Sequence, residues 1–379
     1  MNHFFCANTT RLIESVKSPA MQNIEKIEVS VVVPCRNEIR HIHDFLDSVL
    51  QQDVEGMNVD ILIADGMSTD GTRQVLDWYE RRRKQKCPAL RVIDNFGRIA
   101  STGLNAAIRE AKGEVIIRMD AHSNYAPDYI RSCVKILKET NADNVGGPAL
   151  TRADGYLAQA IAHAYHTRFA SGGAKFHDPQ YEGPVDTVPY GCWRKSTLER
   201  LGLFDENLVR SQDDELNIRI TSSGGKIWQS PKITSWYRPR SSLSGLSRQY
   251  FQYGFWKVSV IWKHRKPASW RNLAPGTSLL VAIILLLGAA GANLGGLTHW
   301  RNVFLCSWAA LAGLYFAASF FASFHAAKRY GWKFLPVLPI VFATYHLSYG
   351  LGFLLALSYR PATWDHPTSV QKALTAITR

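Results

Sequence analysis

The sequence is poor in cysteine, and its cysteines form no recognisable motif. Six cysteines are scattered over 379 residues without a single CxxC pair. This pattern excludes a disulfide framework and a zinc ribbon, and it favours a reducing compartment. The N-terminal stretch "MNHFFCANTTRLIESVK" also lacks the long apolar run of a signal peptide. We therefore expect the N-terminal part of the chain to stay in the cytosol.

Two glycine-rich nucleotide motifs are also missing. No GxGxxG follows the first apolar strand, which disfavours a dinucleotide-binding dehydrogenase. No GxxxxGK[ST] occurs there, which argues against a P-loop enzyme. Acidic residues are fewer than basic ones, and the net charge is +13. An excess of this size favours anionic partners such as phospholipid head groups or sugar nucleotides, and we expect no nucleic acid.

Charge is absent from three long segments near the C-terminus. Residues 277–296 and 302–325 are uncharged and long enough to cross a bilayer. Residues 334–357 contain two prolines and form either a third span or a segment that dips into the membrane. The basic residues that flank the first two segments place the N-terminal part in the cytoplasm by the positive-inside rule, whereas the basic tail fits that topology less well. These flanking residues are Lys263, Arg265, Lys266, Arg271, Lys328, Arg329 and Lys333.

The first third of the sequence alternates short apolar runs with amphipathic segments. The runs "VSVVV" (29–33), "DILIAD" (60–65), "RVIDN" (91–95) and "VIIRMD" (115–120) predict four strands, and the segments between them predict helices. Alternation of this kind predicts an α/β fold with a doubly wound, mostly parallel sheet. Ligands of such sheets bind beyond the carboxyl ends of the strands.

Each of these predicted strands ends in polar or charged residues. Any one of them has an ordinary explanation, since Asp65 is able to cap a turn and Arg98 to be a surface charge. Four such ends at one edge of a sheet favour a ligand site. The residues concerned are Arg36, Asn37, Glu38, Asp65, Asn95, Arg98, Asp120 and His122.

Asp120 and His122 follow the fourth strand two residues apart. Residues i and i+2 of an extended chain point to the same side, so the carboxylate and the imidazole converge on one ligand. Oxygen and nitrogen together suit a divalent cation that also binds the phosphates of a substrate. The alternative is a hydrogen-bonded pair without a metal.

Three adjacent acids open a later helix. Ser211 and Asp214 have the spacing of a capping box, which predicts a helix start at this point. Acids in a first turn complement the helix dipole. Three in a row exceed what capping requires, so we expect a functional carboxylate among Asp213, Asp214 and Glu215. The dipole should keep that carboxylate ionised, as a general base must be.

Six motifs, in order along the chain, resemble those of a known family. They are "VSVVVPCRNE", "DGMSTDGT", "RMDAH", "GCWRK…LGLFDEN", "SQDDELNIR" and "RSSLSGLSRQYFQYG". The sequence resembles the inverting GT-A glycosyltransferases of family 2 over roughly residues 27–258. Within that family it is most similar to the membrane-attached glucosyltransferases of succinoglycan biosynthesis, which extend a polyprenyl-diphosphate-linked sugar.

The resemblance implies roles for individual residues. Asp213 would be the catalytic base, with Glu215 as its acidic companion. Asp120 would stand at the first position of the DxD motif, near ribose and metal. His122 stands at the second position in place of aspartate, where imidazole is still able to ligate Mn²⁺ or Mg²⁺. Donor nucleotide would be bound by Pro34, Arg36, Glu38, Asp65, Arg98 and Asp120.

The acceptor side is implied in the same way. Residues 241–272 have the spacing and basic charge of an amphipathic helix in the head-group layer. Basic residues there would receive the acceptor's diphosphate, or would simply attract anionic lipid. The QxxRW motif of processive synthases is incomplete, because "YFQY" follows Gln249. The acceptor residues would be Trp193, Arg194, Arg240, Arg248 and Gln249.

We therefore expect a plasma-membrane glycosyltransferase that moves one sugar, with glucose favoured, from a UDP-sugar to a lipid-linked glycan acceptor in exopolysaccharide or related glycan synthesis. A processive synthase and a catalytically silent nucleotide-binding scaffold are the alternatives. The expected organisation is an extension (1–26), a GT-A domain (27–240), an interfacial segment (241–272), a multi-pass membrane region with about three helices (273–360) and a tail (361–379).

Overall fold

The computed structural model describes residues 27–83, 87–267 and 269–358. The expected N-terminal extension and C-terminal tail lie outside these residues. The first part of the chain alternates strands and helices, as its hydrophobic pattern predicts. These elements are β1 (Ile27–Cys35), α1 (Ile42–Leu50), β2 (Met57–Asp65), α2 (Thr72–Arg83), β3 (Ala89–Asp94), α3 (Ala100–Glu110) and β4 (Val115–Arg118).

Shorter elements complete the domain. They are β5 (Ser123–Tyr125), α4 (Tyr129–Thr140), β6 (Asn144–Gly146), β7 (Leu150–Thr151), α5 (Tyr156–Tyr165), α6 (Arg168–Ser171), β8 (Gly183–Pro184), β9 (Cys192–Arg194), α7 (Lys195–Leu201), α8 (Gln212–Ser222), β10 (Ile227–Gln229) and β11 (Ser235–Tyr237). Four long helices follow: α9 (Leu243–His264), α10 (Ala274–Leu294), α11 (Thr298–Tyr330) and α12 (Leu338–Ser358).

The main sheet has eight strands in the order β3-β2-β1-β4-β9-β6-β10-β8. Strands β3, β2, β1 and β4 are parallel, which confirms the predicted doubly wound arrangement for this half. Strand β9 runs antiparallel to both β4 and β6, so the sheet as a whole is mixed. A small second sheet has the order β5-β11-β7.

Both faces of the parallel strands are buried, which explains their unbroken apolar sequences. In β1, Val31 and Val33 pack into one core with Phe45 of α1, whereas Val32 packs into the opposite core with Leu104 of α3. Successive side chains of a strand point to opposite faces, so both sets of positions must be apolar here. The sheet is thereby held rigidly between two layers of helices.

The C-terminal helices divide into an exposed pair and a helix packed on the domain. All three of α10, α11 and α12 are long and apolar enough to cross a membrane. Only 11% and 6% of the most apolar windows of α10 and α11 are buried within the chain, against 44% for α12. Helix α12 packs closely along α9, where a Cβ on Gly254 would lie only 2.0 Å from the carbonyl oxygen of Tyr349. The third hydrophobic segment therefore connects the other two to the domain.

Candidate active site

The carboxyl ends of the parallel strands meet at one edge of the main sheet. In the register of the sheet, Cys35 at the end of β1 lies beside Asp65, and Asp65 lies beside Asp94 at the end of β3. The Nη1 atom of Arg36 donates a hydrogen bond of 3.4 Å to the carbonyl oxygen of Arg98. This contact joins the loops that follow β1 and β3. The structure thus brings Arg36, Asp65 and Arg98 to the same edge.

Asp65 is buried and bound within its own loop. Its Oδ1 atom accepts a hydrogen bond of 2.5 Å from the hydroxyl of Ser68, and the Nη1 atom of Arg73 lies 3.5 Å from its Oδ2 atom. The carboxylate therefore shapes the loop after β2. Pro34 lies one residue before the end of β1, beside Ala64, and is half-buried.

Glu38 and His122 connect the ends of β1 and β4. The Nδ1 atom of His122 lies 3.3 Å from the Oε1 atom of Glu38. The backbone N–H of Glu38 donates a hydrogen bond of 2.9 Å to the hydroxyl of Thr72, which fixes the start of this loop. Two of the polar strand ends therefore contact each other directly across the edge of the sheet.

Asp120 forms an ion pair with Arg118, which lies two residues earlier in the chain. The Nε atom of Arg118 lies 3.0 Å from Oδ1 of Asp120, and its Nη2 atom lies 3.1 Å from Oδ2. The backbone N–H of Asp120 donates a hydrogen bond of 2.6 Å to the hydroxyl of Tyr125. Both carboxylate oxygens are thus held in one orientation, as is usual for a bidentate arginine–carboxylate pair.

The charges around Asp120 and His122 favour their ionised forms. Burial acts to raise the pKa of Asp120, but Arg118, His122 and Arg210 outweigh it and lower that pKa. Burial acts to lower the pKa of His122, but Glu38 and Asp120 outweigh it and raise that pKa. Arg240 opposes this rise, so the loop before α9 also carries a charge toward the site.

Asp213 lies in the first turn of α8, and its helix begins at Gln212. The predicted helix start is confirmed, but the predicted capping box is wrong. Ser211 has a left-handed backbone with a φ of 59° and makes no side-chain cap bond. Instead, the Oδ1 atom of Asp213 accepts a hydrogen bond of 3.0 Å from the backbone N–H of Asp214.

The environment of Asp213 raises its pKa. Burial is the main cause, and the neighbouring charge of Asp214 adds to it, whereas Arg118 and Lys257 act in the opposite direction. The expectation that the helix dipole keeps this carboxylate ionised stays a prediction. Desolvation and the like charge of Asp214 act against ionisation. A carboxylate with a raised pKa is a better proton acceptor than an ordinary aspartate.

The other two acids of this turn point to α9. The Nζ atom of Lys257 forms an ion pair with Oδ2 of Asp214. Glu215 is fully buried, and its oxygens lie 2.7 Å from Arg219, 2.8 Å from Lys263 and 3.0 Å from His264. Burial acts to raise the pKa of Glu215, but Arg219 and Lys263 outweigh it and lower that pKa. The sequence assigned Glu215 as an acidic companion of the base, but the structure places it in an ion cluster that fastens α8 to α9.

Trp193 and Arg194 do not reach this edge. Trp193 is buried in the core, with its ring centroid 6.0 Å from that of Phe204. Arg194 lies beside Val115 at the amino end of β4 and donates a hydrogen bond of 3.0 Å to the carbonyl oxygen of Ala142. Both side chains support the sheet, so we keep neither in the acceptor site.

Gln249 of α9 is hydrogen-bonded to two tyrosines. Its Nε2 atom donates hydrogen bonds of 3.0 Å to the hydroxyl of Tyr237 and 2.9 Å to that of Tyr253. The charges of Asp213 and Arg210 both act on Tyr253, so this tyrosine lies near the carboxylate. Arg248, in the same helix, has an exposed side chain.

Sequence reasoning missed Arg118, Arg210 and Tyr253. The i, i+2 argument that paired Asp120 with His122 applies equally to Arg118, two residues before Asp120, so a signal for it was present. Arg210 stands in a loop without periodicity, and its effect on Asp120 emerges only from the fold.

The residues at this edge suit a metal only when a ligand completes its coordination. Among the described residues, no group of three or more His, Cys, Asp or Glu side chains gathers as a metal site. Asp120 and His122 supply one carboxylate and one imidazole, and divalent cations of this kind take about six ligands. Phosphate oxygens and water would have to provide the remainder.

Known proteins share this sequence and fold. Residues 30–197 match the family described as "Glycosyl transferase family 2". The chain is 30% identical over 329 residues to the succinoglycan biosynthesis protein ExoA of Rhizobium meliloti (strain 1021), and the match covers 85% of this chain and 93% of that protein. The chain belongs to glycosyltransferase family 2. The chain is therefore a glycosyltransferase.

Two further comparisons extend the likeness. The family 2 chain is 29% identical over 241 residues to the dolichyl N-acetyl-alpha-D-glucosaminyl phosphate 3-beta-D-2,3-diacetamido-2,3-dideoxy-beta-D-glucuronosyltransferase of Methanococcus voltae, covering 62% of this chain and 74% of that enzyme. The mannosyltransferase PcManGT of Pyrobaculum calidifontis, solved with GDP-Man and Mn²⁺, aligns with a TM-score of 0.51 and 21% identity over 85% of this chain and 87% of its own. This likeness supports a GT-A-like fold.

Proposed function

We propose that this glycosyltransferase moves a single sugar from a UDP-sugar, with glucose favoured, to a polyprenyl-diphosphate-linked acceptor, with inversion at the anomeric carbon. One observation carries the proposal. Arg118 is hydrogen-bonded to Asp120 and its charge also acts on Asp213, which supports a cleft shared by the strand end and the start of α8. The relationship to a succinoglycan biosynthesis protein supports the class of product.

Asp213 is the general base of the proposed reaction. Its raised pKa suits the removal of a proton from an acceptor hydroxyl. The freed oxygen attacks the anomeric carbon of the donor sugar from the face opposite the diphosphate. A new glycosidic C–O bond forms as the bond to the diphosphate breaks, and UDP leaves with the electron pair. Attack from the opposite face accounts for inversion.

The donor site in this proposal lies at the carboxyl edge of the parallel strands. Its nucleotide would contact the loops after β1, β2 and β3. Asp120 would hold Mn²⁺ or Mg²⁺ together with the donor's phosphates, and His122 would join it as a ligand once its imidazole has lost its proton, because a metal binds only the neutral imidazole. The cation would neutralise charge on the departing diphosphate. The nucleotide residues would be Pro34, Arg36, Glu38, Asp65, Arg98 and Asp120.

The acceptor would approach from the side of α9. Gln249 supports this assignment through its hydrogen bonds to Tyr237 and Tyr253. Exposed arginines at positions 240 and 248 would meet the acceptor's diphosphate or the lipid head groups. Helices α10 to α12 would anchor the enzyme in the plasma membrane as a multi-pass protein, with its catalytic domain in the cytoplasm.

Incorporation of label into lipid tests the proposal. Membranes that contain the protein are incubated with radiolabelled UDP- and GDP-sugars, with and without Mn²⁺, and the lipid fraction is counted. We expect label from one UDP-sugar, at a rate that falls when the cation is chelated. Membranes that lack the protein are the control. The absence of label from every donor would contradict the proposed function and favour the silent scaffold.

A further inference from the structure

Arg118 is the last residue of β4, and its guanidinium lies buried beneath the proposed cleft. Only 8% of its side chain is exposed, compared with 16% for Asp120. Its backbone N–H donates a hydrogen bond of 3.0 Å to the carbonyl oxygen of Gly191, so the strand holds this position independently of the side chain. A charged group buried to this extent normally has every donor satisfied.

One nitrogen of Arg118 breaks that rule. Two nitrogens bind Asp120, but Nη1 is buried and has no hydrogen-bond partner among the described residues. A buried donor left unsatisfied costs stability, so its retention needs a reason other than folding. Arg118 also lies within electrostatic reach of Asp213, on the opposite side of the proposed cleft. Its interaction with both carboxylates, Asp120 and Asp213, is a reason that concerns the site and not the fold.

We propose that Arg118 is a positioning residue of the transfer reaction, whose paired nitrogens orient Asp120 toward the donor and whose charge offsets the repulsion between Asp120 and Asp213. The inference rests on the proposed function. It gives the end of β4 a permanent positive charge, the guanidinium of Arg118, which is separate from any metal ion. Since arginine stays protonated in proteins, its contribution does not vary with pH.

Asp213 interacts with charged and titratable groups on three elements. Asp214 belongs to the same helix, Arg118 to β4, and Lys257 and Tyr253 to α9. Arg210, in the preceding loop, acts on Tyr253 and on Asp120. Arg118 and Lys257 stabilise the ionised carboxylate, and Asp214 opposes it. Removal of the arginine charge should therefore move the acidic limb of the rate profile to higher pH. A substitution that removes only the paired hydrogen bonds to Asp120, and keeps the positive charge, should leave the acidic limb at its wild-type pH.

Two substitutions separate the charge of Arg118 from its geometry. Arg118→Gln removes both, and Arg118→Lys keeps the charge but not the paired hydrogen bonds. We expect Arg118→Gln to shift the acidic limb of kcat/KM upward by about one pH unit and to raise the donor KM about tenfold. In Arg118→Lys, the acidic limb of kcat/KM should lie at its wild-type pH, while the KM for the donor stays raised. The assay uses the donor that labels lipid with the wild-type enzyme.

Arg91→Gln is the matched control. Arg91 is a strand arginine in the same sheet, and its Nη2 atom lies 3.0 Å from Asp60, away from the cleft. We expect its rate profile and donor KM to match the wild type. Calorimetric binding of UDP to each full-length variant in detergent, with its thermal unfolding midpoint, detects a variant that has merely lost its fold.

Two outcomes are kept apart by this design. A wild-type enzyme that labels no lipid contradicts the proposed function. An active wild-type enzyme with an unchanged acidic limb in folded Arg118→Gln contradicts the role of Arg118, as does a Lys variant that behaves like the Gln variant at every pH.

Discussion

Two clusters of charge meet the first turn of α8, at residues only two positions apart, and they differ in how fully their acids are satisfied. The cleft cluster comprises Glu38, Arg118, Asp120, His122 and Asp213. The anchor cluster comprises Asp205, Glu215, Arg219, Lys263 and His264. Environment raises the pKa of Asp213 in the first and lowers that of Glu215 in the second, although the two acids are neighbours in sequence.

Under the proposed function, this difference separates a reactive acid, Asp213, from a structural one, Glu215. Glu215 is fully buried, yet three basic side chains lie within 3.0 Å of it, so its charge is stabilised. Asp213 is desolvated beside a like charge, so its charge is penalised. A carboxyl group whose pKa is shifted by desolvation together with a specific neighbouring charge is a candidate functional group. We infer that a saturated ion cluster fixes α8 on α9 so that Asp213 is held in place.

Replacement of the reactive acid should have the largest effect. Asp213→Asn removes the proton acceptor with little change in shape, so we expect transfer to fall about a thousandfold or more. UDP binding, measured by calorimetry, should remain within about twofold because the donor residues are untouched. Transfer at the wild-type rate would remove Asp213 from its assigned role.

Replacement of the structural acid should act on stability. Glu215→Gln removes the carboxylate that pairs with Arg219 and leaves Lys263 with Asp205, so we expect a loss of about 3 kcal/mol in the free energy of unfolding. The rate per folded molecule should stay within about threefold of the wild type. Thermal unfolding and active-site titration measure the two quantities.

The pH dependence of the stability lost in Glu215→Gln is the control for this prediction. The pKa of Glu215 is lowered in the folded state, so its contribution is present above the unfolded pKa of about 4.3 and disappears as the pH falls through the folded pKa. The difference in unfolding midpoint between the wild type and Glu215→Gln should therefore shrink in acid. A constant difference would show that packing, and not charge, is lost.

The smallest effect is expected for replacement of Asp214, which lies between Asp213 and Glu215 in the sequence. Asp214 raises the pKa of Asp213 by its charge, so Asp214→Asn should move the acidic limb of kcat/KM to lower pH by about half a unit. The substitution also releases Lys257, whose charge acts in the same direction. A rate profile recorded upward from the ordinary aspartate pKa of about 4 measures the shift. A limb that moves upward would contradict the described balance of charges.

Sequence predicted the elements of the sheet well because their signal is local. Buried β-branched runs gave β1 to β4, and the acids after Ser211 gave the start of α8. The partners of those acids were invisible, because Lys257 and Lys263 follow more than forty residues later and reach α8 only through the path of α9. Only the fold decides which of three adjacent carboxylates faces the cleft.

Trp193 and Arg194 show a second limit. Their sequence, "GCWRK", resembles a family motif, but nothing in it indicates that β9 runs antiparallel to β4. That direction places Arg194 beside Val115, at the end of β4 opposite to Asp120. Strand direction depends on connections that are long and irregular here, so local pattern cannot supply it.

Asp213→Asn and Glu215→Gln, compared side by side in one preparation, test the division of roles most directly. For each variant, transfer to lipid and the thermal unfolding midpoint are measured together. We predict crossed results, in which Asp213→Asn is inactive with an unchanged or higher midpoint and Glu215→Gln is active with a lower one. Loss of the same property in both variants would contradict the account.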